Sequence, residues 1–189
     1  SSLPLLLLEI ELFSLKDKKG IQPGSYFLLT EDGEQSGEIP LLDNTEVINE
    51  ANRVINKQQS SFKQYTVADE ELIVFTEIIL PPVSLIVIGG GNDVIPLVKI
   101  ADIVGWQTTV VDGRPMYATK ERFQTPSCQV LLSKAEDVLQ HITIDNRTAF
   151  VLMTHNYNYD LAMLRSLLRF PVVYIGVLGP KKKMAMMID

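Results

Sequence analysis

At 189 residues the chain is long enough for one large domain, or for an ordinary domain with a smaller partner, and it can bury a real core. Hydrophobic residues make up 46% and charged residues 21%, and no run of about 18 apolar residues occurs, which excludes a spanning helix and points to a soluble protein. The net charge of −6 leaves no electrostatic footprint for nucleic acid, and a single cysteine, Cys128, excludes an internal disulfide framework or a multi-cysteine metal cluster, so a reducing cytoplasm is the expected compartment.

The first apolar stretch, "LPLLLLE", has neither a basic leader nor a small-residue cleavage site and is not read as a signal peptide. Residues 5–13 can be strand or helix, and "SYFLLT" before "EDGE" reads as a strand entering a turn. In "DNTEVINEANRVINKQQ", Val47, Ala51, Val54 and Ile55 share one helical face. "SFKQYTV" and "LIVFTEIIL" then supply two strands rich in β-branched and aromatic residues. Paired prolines at Pro81-Pro82 stiffen the backbone and stop a strand from continuing in register. They divide the chain into a small α+β domain over 1–80 and a second domain over 83–189.

From Val83 onward short apolar runs alternate with amphipathic stretches, the pattern of a parallel sheet with crossover connections. Strands are predicted at 85–88, 108–112, 129–132, 148–153 and 172–177, and helices at about 93–104, 116–122, 134–141 and 158–169. Right-handed crossovers favour an α/β fold with a Rossmann-like, doubly wound sheet of order 3-2-1-4-5. Ligands bind such sheets at the carboxyl ends of the strands, here at the switch point between the first and fourth.

The glycine turn Gly89-Gly90-Gly91 follows the first of these strands, and its backbone can take positive φ and let a ligand approach. Asp112, about twenty residues on, stands where a dinucleotide fold places the acid that bonds a ribose hydroxyl. The helix start departs from that pattern. Pro96 lacks an N–H and belongs in the first turn, which puts the cap at Asn92 or, preferably, Asp93. A capping carboxylate would occupy the amides and oppose a pyrophosphate, and Val94 in place of a third small residue would hold the helix away from the strand. The turn is thus either a dinucleotide site or a structural closure of a β-α unit.

Other candidates fall on the same edge. Arg114 either forks onto a ligand phosphate or carboxylate or pairs with Asp112. Thr154-His155-Asn156 ends the fourth strand beside the glycine turn. His155 can act there as general acid or base, metal ligand or hydrogen-bond donor, the alternative being a bond to a neighbouring carbonyl. No second ligand has metal-site spacing, so no metal site is expected. Gly176 and Gly179 would let the last loop fold over the crevice, while Lys181, Lys182 and Lys183 either meet an anionic ligand or form a solvated helix start. Cys128, at a strand start, reads as a small buried hydrophobe, and Met184, Met186 and Met187 as packing.

Four quoted stretches, "EIILPPVSLIVIGGGNDVIPLVKIADIVGWQTTVVDGRP", the "RF" of Arg122-Phe123, "TAFVLMTHNYNYDLAMLRSLL" and "YIGVLGPKKK", occur in order across about residues 77–184. With their D-x-R-P and T-H elements they resemble the Rossmann-type half of the XdhC/CoxI family, accessory factors that mature xanthine and carbon monoxide dehydrogenases. "GSYFLLTEDGEQSGEI" to "EANRVI" is similar to a diverged form of that family's smaller N-terminal domain. The resemblance implies a cytoplasmic chaperone that binds the molybdenum cofactor, a phosphate-bearing molybdopterin, while its sulfido ligand is installed and delivers it to an apo-dehydrogenase. The partners so implied are a molybdenum hydroxylase apo-enzyme and a sulfur donor of the cysteine desulfurase type, and a homodimer is compatible with it; catalytic turnover is not expected. Carried over by position, the cofactor-binding candidates are Gly89, Gly91, Asn92, Asp112, Arg114, Thr154, His155, Gly176 and Gly179. The family's G-G-C-x-E element has no cysteine in the corresponding "SGEIPLLDN", so a thiol contact to molybdenum is not carried over. The family pattern continues into another strand and helix, and this sequence opens on serine, which implies a fragment or an edge supplied by a partner. The rival readings are an NAD(P)-dependent oxidoreductase, with Asp112 on the ribose and His155 as proton donor, and a non-catalytic nucleotide-binding or interaction module.

Overall fold

The computed structural model describes residues 7–14, 26–30, 32–39, 44–67 and 70–188. Most of the apolar start "LPLLLLE", and residues 40–43 within "SGEIPLLDN", lie outside them. The chain divides into two units, Ser1–Pro81 and Pro82–Asp189.

In the first unit, strands β1 (Leu7–Ser14), β2 (Tyr26–Thr30), β3 (Gln35–Gly37), β4 (Ser61–Val67) and β5 (Glu70–Ile79) form an antiparallel sheet of order β3-β2-β1-β5-β4, with helix α1 (Asn44–Lys57). The ambiguous segment at 5–13 is therefore strand where it is described, and β3 is an element that its polar sequence, Gln-Ser-Gly, did not announce. Val47, Ala51 and Val54 of α1 are buried with Leu8, Ile10, Phe27, Leu72 and Val74, as one apolar helical stripe against one sheet face requires.

The second unit contains β6 (Ser84–Ile88), α2 (Val94–Ile103), β7 (Gln107–Asp112), β8 (Cys128–Leu132), β9 (Thr148–Leu152), α3 (Tyr157–Leu167), β10 (Tyr174–Val177) and α4 (Lys181–Ile188). Its strands are parallel in the order β8-β7-β6-β9-β10, which in domain numbering is 3-2-1-4-5. β6 is central, and Leu85, Ile86, Val87 and Ile88 are all buried because both faces of the sheet are covered. Leu85, Val87 and Val110 pack with Val94, Val98 and Ala101 of α2. Ile86, Ile88, Val111, Phe150 and Leu152 pack with Met163, Leu164 and Leu167 of α3 and with Met187. Neighbouring strand residues thus feed opposite cores, the period-2 consequence of the pleat.

Two predicted helices are corrected. The stretch at 116–122 forms only a 3-10 turn over Lys120–Arg122, and that at 134–141 only a turn over Val138–Gln140. Both are short for independent helices, and tertiary contacts outweigh their propensity. Tyr117 is held against the glycine turn, so that a Cβ at Gly90 would lie 2.6 Å from the Tyr117 carbonyl oxygen. Ala135 and Val138 are drawn into the core. β10 also begins at Tyr174, later than the predicted 172.

The carboxyl ends of β6 and β9 meet at Gly89, where φ is +119° and a Cβ would lie 2.6 Å from the Met153 carbonyl oxygen. Only glycine fits there without moving a strand. Gly89→Ala is therefore expected to lower stability by about 1–3 kcal/mol, the range for a strained backbone position, and more if β9 shifts. Urea denaturation of the two proteins would measure it, and an unchanged midpoint would mean that the junction is soft.

Candidate functional site

The site is built at the switch point between β6 and β9. Gly89 N–H donates to the Val111 carbonyl at 2.7 Å, and Met153 N–H to the Ile88 carbonyl at 2.8 Å, so the turn and the end of β9 continue the sheet by one further rung on each side. Gly90 N–H then donates to Oδ2 of Asp112 at 2.8 Å.

Asp112 is 3% exposed. Besides Gly90, it receives the backbone N–H of Arg114 at 2.9 Å and that side chain's Nε and Nη2 at 2.9 and 2.8 Å. Burial pushes its carboxyl upward, but the Arg114 side chain, the Gly90 and Arg114 amides and the Arg114 charge together outweigh this and hold it below the ordinary carboxylate range. Of the two readings open for Arg114, the structure has the pair with Asp112. The fork uses Nε and Nη2, and among the described residues Nη1 makes no hydrogen bond. The guanidinium also lies over the Tyr117 ring at 3.9 Å.

Asp93 holds the cap position of α2, yet its side chain makes no capping hydrogen bond. The expected carboxylate cap is thus corrected: Asp93 has helical φ and ψ of −68° and −21° instead of the extended backbone of a capping residue, and its Oδ2 lies 2.9 Å from His155 Nε2. The pair spans the crevice from the start of α2 to the end of β9. His155 itself has φ +57°, a left-handed conformation uncommon for a residue with a side chain. Such outliers persist only where their surroundings impose them.

Thr154 is buried, and its hydroxyl donates to Oδ1 of Asp160 at 2.6 Å and accepts from Asn156 N–H at 3.0 Å. Asp160, fully buried, takes Lys183 Nζ on its other oxygen at 2.6 Å. Lys183 is therefore a structural partner, while Lys181 and Lys182 remain exposed. Asn156 caps α3 by accepting from Tyr159 N–H at 3.2 Å.

A crevice of about 470 Å³ brings together Gly91, Asn92, Arg114, Thr154 and His155 from the sequence candidates, with Asp93 and Tyr117. Gly89 shapes its base from behind, Asp112 buttresses Arg114, and Gly176 and Gly179 are elsewhere, in β10 and in the turn against Lys183. Arg122 was missed as an individual candidate: its Nη2 donates to the Gly90 carbonyl and to Asn92 Oδ1, both at 3.0 Å, and locks the outer side of the turn. The only sequence signal for it was the "RF" pair. Among the described residues no group of three or more His, Cys, Asp or Glu could hold a metal ion, and no helix is long and apolar enough to cross a membrane.

Residues 85–189 match the sequence model of the XdhC Rossmann domain. A probable xanthine dehydrogenase subunit of Bacillus subtilis (strain 168) is 32% identical over 111 residues, which are 59% of this chain and 33% of that protein. The chain thus spans about a third of the length of the curated relative it matches. A crystal structure described as a xanthine dehydrogenase from Bacillus halodurans aligns with a TM-score of 0.57 and 20% identity, covering 97% of this chain and 80% of that one. At that identity the likeness is one of fold.

Two outcomes follow from the ionisable groups. Because the folded carboxyl of Asp112 lies below its unfolded value of about 4, its stabilisation is complete above that value and is lost as pH falls through the folded pKa. The stability gap between the parent and Asp112→Asn should be widest near neutrality and close below about pH 4, as urea midpoints across pH would record. Burial pushes the Cys128 thiol up to about 11, so its alkylation at pH 8 should be roughly 100-fold slower than that of a free thiol. Rapid labelling in a quenched alkylation series would contradict that environment.

Proposed function

The chain belongs to the XdhC Rossmann domain family, the match taking in more than half of its residues, and from that membership we propose that it is an accessory factor in xanthine dehydrogenase maturation. Its finer role in this reading is to bind the molybdenum cofactor as cargo and deliver it to the apo-enzyme of a molybdenum hydroxylase in the cytoplasm. A cysteine desulfurase-type sulfur donor would be the other partner.

The single observation that carries the cargo role is the crevice at the switch point. Molybdopterin presents a phosphate and a polar heterocycle, and the lining offers chemistry suited to both. The Arg114 edge left outside the Asp112 fork and the Asn92 amide can meet phosphate oxygens. The uncapped start of α2 adds the positive end of a helix dipole, since the Asp93 carboxylate is drawn to His155 instead of across the amides. His155 screens Asp93, whose charge would otherwise face an incoming anion. The chain's own work in this reading is to orient and shield the cargo, with Thr154 and Arg114 held rigid by Asp160 and Asp112.

An oxidoreductase reading has less support. Both oxygens of Asp112 are already engaged, so a ribose hydroxyl would have to displace the Gly90 amide or Arg114.

Protein purified from a molybdopterin-competent host should carry a pterin, measured as its fluorescent oxidation product, and should raise the activity of co-expressed apo-dehydrogenase. Absence of both would sink the reading. His155→Ala leaves the exposed Asp93 carboxylate without its partner and should weaken cargo binding roughly tenfold, whereas Asp93→Asn should leave it equal or tighter. Arg114→Ala is a poorer probe, because it also leaves the buried Asp112 without its partner.

A further inference from the structure

The maturation reading uses the second unit and leaves one face of the first unit's sheet without a role. Helix α1 packs on the face that carries Leu8, Ile10, Phe27, Leu72 and Val74. Side chains alternate along a strand, so the residues between these stand on the opposite face.

That face is aromatic along one side and acidic in the middle. Phe62 and Phe75 are opposite one another on β4 and β5, and their rings stack with centroids 4.4 Å apart. The stack is not closed into a core: Phe62, on the edge strand β4, is 73% exposed. Phe75 is opposite Glu11, and Glu11 is opposite the half-exposed Tyr26, so one row across four strands reads Phe62, Phe75, Glu11, Tyr26. In the next row exposed Glu77 stands directly opposite Glu9, which is followed by Leu28.

Like charges directly opposite one another destabilise a sheet, and Glu11, two residues along β1 from Glu9, adds a third carboxylate. None of the ion pairs among the described residues includes any of the three. Nor, among the described residues, do they make up a group that could hold a metal ion. The sheet thus carries an uncompensated repulsion beside exposed aromatic surface. A local rule broken in this way, next to an apolar patch, marks a surface made for contact.

A complementary occupant brings cations to the three carboxylates and apolar side chains to the Phe62–Phe75 stack and Leu28. A second copy of the chain does not, because a two-fold contact would set the acidic patch against its own image. Size argues the same way. Four strands about 4.8 Å apart make a patch roughly 20 Å wide, which is less than the roughly 800 Å² per partner that a standard stable interface buries. It does accommodate one amphipathic segment laid on it.

We propose that the uncovered face of the first unit's sheet is a docking surface for a basic amphipathic segment of a partner protein, with lysines or arginines at Glu9, Glu11 and Glu77 and apolar side chains over Phe62 and Phe75. The proposal rests on the first unit alone and is independent of the crevice in the second.

The whole chain would be titrated, by calorimetry and amide NMR, with a synthetic peptide of about 14 residues carrying leucine and lysine at helical spacing, and with the same peptide carrying glutamate for lysine. The lysine peptide should bind with a dissociation constant of about 100 μM or tighter and shift the amides of Phe62, Phe75 and Glu77, and the glutamate peptide should not bind. Glu9→Gln combined with Glu77→Gln should weaken binding roughly tenfold, as should Phe62→Ser, and raising NaCl to about 0.5 M should weaken it severalfold. The double variant also separates contact from folding: relief of the repulsion should raise its urea midpoint while its affinity falls. No binding of the lysine peptide, equal binding of both peptides, binding that the variants leave intact, or a lowered midpoint in the double variant would overturn the proposal. A dimer seen by sedimentation and dissociated by Phe62→Ser would assign the face to a second copy and overturn it as well. Pterin content tests the maturation reading separately, since none of the substituted residues lines the crevice.

Discussion

One buried carboxylate organises the functional edge of the second unit. Asp112 ends β7, receives the Gly90 amide from the neighbouring turn, and is forked by Arg114. A carboxylate this deep is tolerated only because donors surround it. In return it fixes the glycine turn relative to β7 and holds the guanidinium on the wall of the crevice. The residue that looked most like a ribose contact is thus, in the folded chain, the brace on which the crevice depends.

A second buried carboxylate does similar work on the other side of the switch point. Asp160 joins Thr154 at the end of β9 to Lys183 on α4, so the end of the fourth strand and the last helix are tied through one side chain. Between these braces sits the pair of His155 and Asp93, exposed and bridging the crevice. Rigid groups therefore flank a more accessible one. In the proposed maturation role, that distribution would hold a polar cargo in a fixed pose.

Much of this was legible in the chain. The five apolar runs from Leu85 onward, the glycine turn after the first and the polar residues after the fourth were enough to place the sheet order and to gather Gly91, Asn92, Arg114, Thr154 and His155 on one edge. Periodicity carries that information because the pleat and the right-handed crossover leave few alternatives. The helices at 116–122 and 134–141 were misread, since a short amphipathic stretch looks helical until a distant contact claims its residues. Tyr117 is taken by Gly90 and the two arginines, and Ala135 and Val138 by the core.

What the sequence determined by itself was therefore the architecture and the family, because hydrophobic period, glycine placement and chain order are local properties. Only the tertiary structure decided who partners whom. Asp93 chose His155, 62 residues away, over the helix amides beside it; Asp112 reached back 22 residues to Gly90; Lys183 left its charged run for Asp160. These are choices among acceptors and donors of similar intrinsic strength, and they are made by proximity in the folded state and by the cost of leaving a buried charge unpaired, neither of which a linear chain displays.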